Sequence, residues 1–380
     1  MGGWDEKLRN YRMNSFQLNI VEEMLFALLR GALHHRETEV EYFKSVTADD
    51  WQKCYQLAVE HGVMALAWDG VMKLIAPFQP PKALKLNWYM AVENYEKRYL
   101  HYCRTVDELS RLYASHGIAT LQLKGVGYSV NYPVPSHREG GDIDIYTYAA
   151  DGSGMTDAEA NSLADHLMKK QGIRVDDCHS FMHTAFRYKG VPIENHRRLL
   201  DVYRYKAGKQ VTSWLQQHVL PQWTRLQEGR VMTPSPEFNT VYLAFHTFHH
   251  YGNGLKLHHL CDWTIQMMRY GLSLPEKITD KRFLRGVAAL TNLSDKLLYT
   301  AVSAPSEEKL EAEMLREMLR PKYADVVPAN TKLGTLIYKT RRLFHKYRLN
   351  NSVLRGSLIW YLGFIFTYHL RHPEMIFRKK

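Results

Sequence analysis

The chain has 380 residues, 45% apolar and 23% charged, ordinary usage for a globular protein with a sizeable core and not that of a disordered or fibrous chain. Its four cysteines, Cys54, Cys103, Cys178 and Cys261, show no Cys-x-x-Cys spacing, which excludes a disulfide scaffold or a cysteine-rich zinc module and fits a reducing compartment. The net charge of +11 is local: residues 331–380 carry eleven Lys/Arg against one acid, Glu374, leaving 39 bases and 38 acids in the first 330, so a neutral body bears a basic C-terminal tail.

The first residues, Met1-Gly-Gly-Trp-Asp-Glu-Lys, place acids early and lack an apolar run, so no secretory signal is expected and the expected location is cytoplasmic. No Ser/Thr stands at position six for myristoylation. Val21 to Leu29 has helical apolar spacing, and Trp51 to Leu74 follows a capping stretch, Thr47-Ala-Asp-Asp. A long helix is expected from about Leu86 to Ser115, ending at His116-Gly117. At Ile118 the period changes: Ile118 to Leu123 reads as a short buried strand closing in a Lys124-Gly125 turn. A Pro/Ser/Gly-rich loop, Tyr132 to Gly141, leads to a second strand, Asp142 to Tyr148. Thr156 to Gln171 reads as a helix capped by Thr156 or Asp157. His183–Tyr188 and Val191–Asn195 read as a β-hairpin turning at Lys189-Gly190. From Pro236 the pattern returns to helices. The expected plan is α+β, with a small mixed β-sheet in 116–205 between an N-terminal helical region, 1–115, and a C-terminal helical region with the basic tail, 206–380.

Asp142-Ile143-Asp144 is the most informative triplet. On a strand, Asp142 and Asp144 project together while Ile143 and Ile145 point to the opposite face. Two adjacent carboxylates repel unless a cation sits between them, and oxygen-only ligands suit Mg²⁺ (or Mn²⁺) shared with substrate phosphates. If Ile193 is in the core, Glu194 lies on the polar face as a third carboxylate. Gly125 lets a backbone N–H approach a phosphate, and Lys124 or Arg138 can neutralise one.

These residues carry a resemblance. Leu121-Gln-Leu-Lys-Gly, then Tyr132-Pro to Gly141-Asp-Ile-Asp-Ile, then Ile193-Glu-Asn-His196, resembles the uncharacterised bacterial nucleotidyltransferase family of the polymerase-β-like superfamily. His61-Gly-Val upstream and His246-x-x-x-His250 with Leu260-Cys-Asp262 downstream resemble its flanking motifs. The resemblance implies a nucleotidyltransferase core in which Asp142, Asp144 and Glu194 hold Mg²⁺ and catalyse transfer from a nucleoside triphosphate, with Lys124, Gly125 and Arg138 near its phosphates. His196, His246, His250 and Asp262 would border the acceptor, expected to be a small molecule, a sugar-like compound or a peptide. Better-known superfamily members have Gly-Ser where this chain has Lys124-Gly125. Two other readings stand beside this one: a nucleotide-sugar glycosyltransferase of the Asp-x-Asp type, and a catalytically silent binding or membrane-associated protein.

His246, His249, His250, His258 and His259 crowd into fourteen residues. His246 and His250 have i, i+4 spacing, but Thr247 stands where a zinc protease needs Glu, and histidines lining a cleft or bonding Asp262 are the favoured reading over metal. The tail holds an uncharged run from Gly356 to Leu370, too short to span a bilayer. A buried helix is the expected form. Peripheral membrane contact through 339–371 is the alternative, and no aromatic–basic motif supports nucleic-acid binding.

Overall fold

The computed structural model describes residues 17–176, 182–200, 206–323 and 331–371. The amino-terminal residues read for targeting, Cys178 and the basic residues beyond Arg371 lie outside them. The N-terminal helices are α1 (Ile20–Leu33), α2 (Ala48–Glu60), α3 (Met64–Met72) and α4 (Lys82–Ala114). Thr47 caps α2 in a reciprocal box with Asp50, as its sequence suggests. The stretch from Trp51 to Leu74 is two helices rather than one, broken where Gly62 takes φ +65°. Helix α4 ends, as expected, before Gly117 in the left-handed region.

The α+β class is as expected, but the sheet runs on to Thr233, past the expected limit at 205. Strands β1 (Ile118–Gln122), β2 (Ile143–Ala149), β3 (His183–Tyr188), β4 (Val191–His196), β5 (Gln222–Arg225) and β6 (Arg230–Thr233) form one mixed sheet in the order β3-β4-β2-β1-β6-β5. A one-turn helix, α5 (Val126–Ser129), follows β1, and α6 (Asp157–Lys170), boxed by Thr156 and Glu159, packs on β2. The β3–β4 hairpin turns at Lys189-Gly190, both at positive φ, as a tight two-residue turn requires. The β5–β6 hairpin was not anticipated. Its strands are four residues long, and Trp223 is exposed, so neither gives a clear alternating pattern.

Helices α7 (Lys206–Gln217), α8 (Pro236–Gly254), α9 (Leu257–Tyr270), α10 (Lys281–Leu298), α11 (Glu308–Leu319), α12 (Lys332–Leu354) and α13 (Leu358–Arg371) complete the described chain. Alternation along β2 divides two cores. Ile143 and Ile145 pack with Val106 and Leu109 of α4 and Ala160, Ala164 and Met168 of α6. The opposite face, with Leu121 and the half-buried Tyr146 and Tyr148, meets the larger helical core containing α8 and α9. Asp144 is on this second face, between the sheet and the C-terminal helices. The expectation of a buried final helix does not hold for α13, where Ile359 is 86% exposed and Phe366 and Leu370 66%.

Candidate active site

Strand pairing assembles the acids. β2 and β4 run parallel with Asp144 opposite Glu194, and Asp142 immediately precedes β2. Asp142, Asp144 and Glu194 each present an oxygen within 4.8 Å of the others, a group able to hold a metal ion. Asp144 is buried, Asp142 and Glu194 half-buried.

Among the described residues, two cations face this group. Lys124 Nζ lies 3.2 Å from Asp144 Oδ2, and His196 Nε2 lies 3.1 Å from Asp144 Oδ1 and 3.7 Å from Glu194 Oε2. Burial alone would raise the Asp144 pKa, but Lys124 and the hydrogen bond from His196 outweigh it and hold the carboxyl well below its ordinary range. Burial would lower His196; its bonds to Asp144 and Glu194 instead raise it to about 9, so the ring is cationic at neutral pH. Asp142 moves the other way, raised by burial and then by the charge of Asp144 beside it. Three carboxylates thus share two cations, and oxygen donors in this number suit a further divalent ion.

Gly125 turns the chain out of β1 at φ +75°, a conformation that favours glycine, and a Cβ there would press on the end of the Gln122 side chain at 3.0 Å. The loop that follows is pinned from three helices. His137 bonds Asp69 of α3 at 2.9 Å and Glu96 of α4 at 3.0 Å. The Tyr102 hydroxyl of α4 donates to the Gly141 carbonyl at 3.2 Å. Arg138 is bidentate on Asp262 of α9, Nε to Oδ1 at 2.8 Å and Nη2 to Oδ2 at 2.7 Å, and its Nη1 donates to the Gly125 carbonyl at 3.1 Å. The Tyr132 hydroxyl donates to the same Asp262 Oδ1 at 2.7 Å.

The predicted residues therefore fall into separate groups. Asp142, Asp144, Glu194, Lys124 and His196 converge, whereas Arg138 and Asp262 are engaged with each other. Asp262 is bonded by Arg138 and Tyr132 rather than by a histidine. His246 stands beside Lys124, its Nε2 3.4 Å from Nζ, and His250 packs against its ring. A cavity of about 270 Å³ is lined by Lys124, Gly125, Asp142, Asp144, His246 and Asp262, among others, and a second, of about 490 Å³, by Asp142, Glu194, Arg174 and Arg187, among others. Asp142 belongs to both. His183, overlooked in the sequence, faces His196 across the hairpin, and its Nδ1 lies 3.4 Å from Glu194 Oε2. The hairpin register about Lys189-Gly190 would have revealed it.

A family model described as "Uncharacterised nucleotidyltransferase" matches residues 47–301, about two thirds of the chain. No curated protein matches. Among solved structures, an antigenic nucleotidyltransferase-like protein from Paracoccidioides brasiliensis is similar, at 16% identity and a TM-score of 0.35, over 52% of this chain and 92% of its own.

Proposed function

The chain belongs to the uncharacterised nucleotidyltransferase family, and from that membership we propose that it moves a nucleoside monophosphate from a nucleoside triphosphate to an acceptor hydroxyl, using Mg²⁺ or Mn²⁺ held by Asp142, Asp144 and Glu194. The observation that carries this reading is the convergence of those three carboxylates at a shared corner of two cavities. The donor occupies the cavity beside Lys124 and Gly125, and the acceptor, a small molecule, sugar-like compound or peptide, approaches Asp142 from the other side. The bound ion supplies charge neutralisation on the phosphate oxygens and stabilises charge developing in the transition state.

Each protein group then has a defined task. Glu194 accepts the proton of the attacking hydroxyl as its oxygen bonds to the α-phosphorus and the bond to pyrophosphate breaks. His196 orients Glu194 and Asp144 and keeps both ionised. Lys124, now paired with Asp144, is close enough to the cavity to meet a phosphate oxygen as a point charge. Arg138 acts indirectly, holding the Gly125 carbonyl so that the turn keeps its shape. The test is incubation of the full chain with each labelled nucleoside triphosphate and Mg²⁺ or Mn²⁺, scoring pyrophosphate release across an acceptor panel. Turnover of nucleotide-sugars without pyrophosphate release would overturn the assignment.

A second reading concerns location. Leu333, Leu336, Ile337 and Phe344 of α12 and Ile359, Phe366 and Leu370 of α13 are exposed in the most basic part of the chain. No helix among the described residues is long and apolar enough to cross a membrane. We infer that this surface rests against an anionic bilayer, where apolar side chains enter the interface and Lys/Arg meet headgroups. Flotation with anionic vesicles, lost with neutral ones and weakened by Ile359→Glu with Phe366→Glu, is the expected result. Equal recovery without vesicles would refute it.

A further inference from the structure

We propose that His246, His250 and His259 form a second metal site, distinct from the carboxylates, for a zinc-type transition-metal ion whose open position faces the 270 Å³ cavity. His246 and His250 are one turn apart on α8, and His259 lies in the first turn of α9. Each presents a ring nitrogen within 4.8 Å of the other two, and the ring centroids are 4.5, 5.7 and 5.3 Å apart. A tetrahedral zinc ion with nitrogens at about 2.0–2.1 Å holds them roughly 3.4 Å from one another. Small side-chain rotations therefore close the site. His246 and His259 line the cavity, which leaves room for water or a substrate atom as the fourth ligand, the pattern of sites with three protein ligands.

Donor chemistry separates this site from the first. Imidazole nitrogen selects zinc, cobalt, nickel or copper, whereas carboxylate oxygen suits magnesium and manganese. Ligation needs neutral rings, and the three sit together away from bulk solvent, His259 buried and His246 and His250 half-buried. Two contacts oppose an ion. Lys124 Nζ is 3.4 Å from His246 Nε2, and the Lys256 backbone N–H donates to His259 Nδ1 at 3.3 Å. Both are long, and Lys124 keeps its partner Asp144 when it turns away, so their loss is small beside three nitrogen–metal bonds. Thr247 follows His246 where a metalloprotease would carry its basic Glu, so the site fits ligand binding or organisation of the cavity wall, not peptide hydrolysis.

The test uses the full chain, stripped with chelator and titrated with Co²⁺ in excess Mg²⁺, with zinc content measured in parallel after desalting. One equivalent of zinc and the visible bands of four-coordinate Co²⁺ are expected in the wild type and in D142N. H250A should weaken binding at least as much as loss of an outer-shell partner does, roughly 10–100-fold. Circular dichroism checks its fold, and H246N replaces it if it unfolds. Absence of a Co²⁺ spectrum in the wild type, binding unchanged in the folded histidine variant, or binding lost in D142N would each overturn the proposal. The readout is independent of nucleotide transfer.

Discussion

Asp144 and Asp262 are both buried carboxylates that meet a cation, yet their surroundings give them opposite capacities. Asp262 is closed: the fork of Arg138 occupies both oxygens, and Tyr132 adds a third hydrogen bond. Asp144 meets a lysine and a histidine, each at one point, with two further acids beside it. A bidentate guanidinium satisfies a carboxylate and locks a loop to a helix. Single-point contacts in a surplus of negative charge leave a group that could hold a further ion. Saturation, more than burial, separates a brace from a binding site.

The largest way to break this contrast is to alter the open side. Asp142→Asn or Asp144→Asn should remove several kcal/mol of transition-state stabilisation, lowering metal-dependent nucleotide transfer by roughly a thousandfold or more, with circular dichroism unchanged. Asp142→Asn is the cleaner test because that side chain is only half-buried. Undiminished pyrophosphate release in either would remove the metal role from these acids.

The closed side should respond in stability. Asp262→Ala strands the buried Arg138 charge and should cost about 3–5 kcal/mol, read from denaturant unfolding. Adding Arg138→Met should recover most of that loss. A single variant as stable as wild type would show that the pair is not a brace.

Glu194→Gln sharpens the contrast within the acid group. If it takes the proton, turnover should fall about a hundredfold while nucleotide affinity moves little. A change in affinity alone would make it a ligand only.

The last test is in pH. The His196 pKa is raised by its partners from 6.5 to about 9, so its contribution to stability is complete below pH 6.5 and declines as pH rises through about 9. His61, His250 and His258, held neutral by burial at about 4, act in the other sense, and stability falls as pH drops from 6.5 toward 4. Unfolding free energy across this range should trace both limbs, with the alkaline one missing in His196→Gln. An unchanged alkaline limb in that variant would assign it to another group.

The convergence of the three acids was legible in the sequence. Alternation about Ile143 and Ile145 put the two aspartates on one face, and Ile193 fixed the direction of Glu194, because period-two structure links each residue to its neighbour. The pairing of Arg138 with Asp262 was hidden for an equally physical reason. An arginine has the right charge for a phosphate, and its distance along the chain from Asp262, 124 residues, conceals the carboxylate that it pairs with.

Local pattern alone determined the strand–turn–strand core, the capped helices, the Lys189-Gly190 hairpin and the identity of the acids, since each depends on interactions within a few residues. Tertiary structure decided which charges meet. It placed β4 beside β2 in register, set Lys124 and His196 against Asp144, locked Arg138 to Asp262 and drew His259 to His246 and His250. Electrostatic partners are chosen by distance through space, and that distance exists only after the chain has packed.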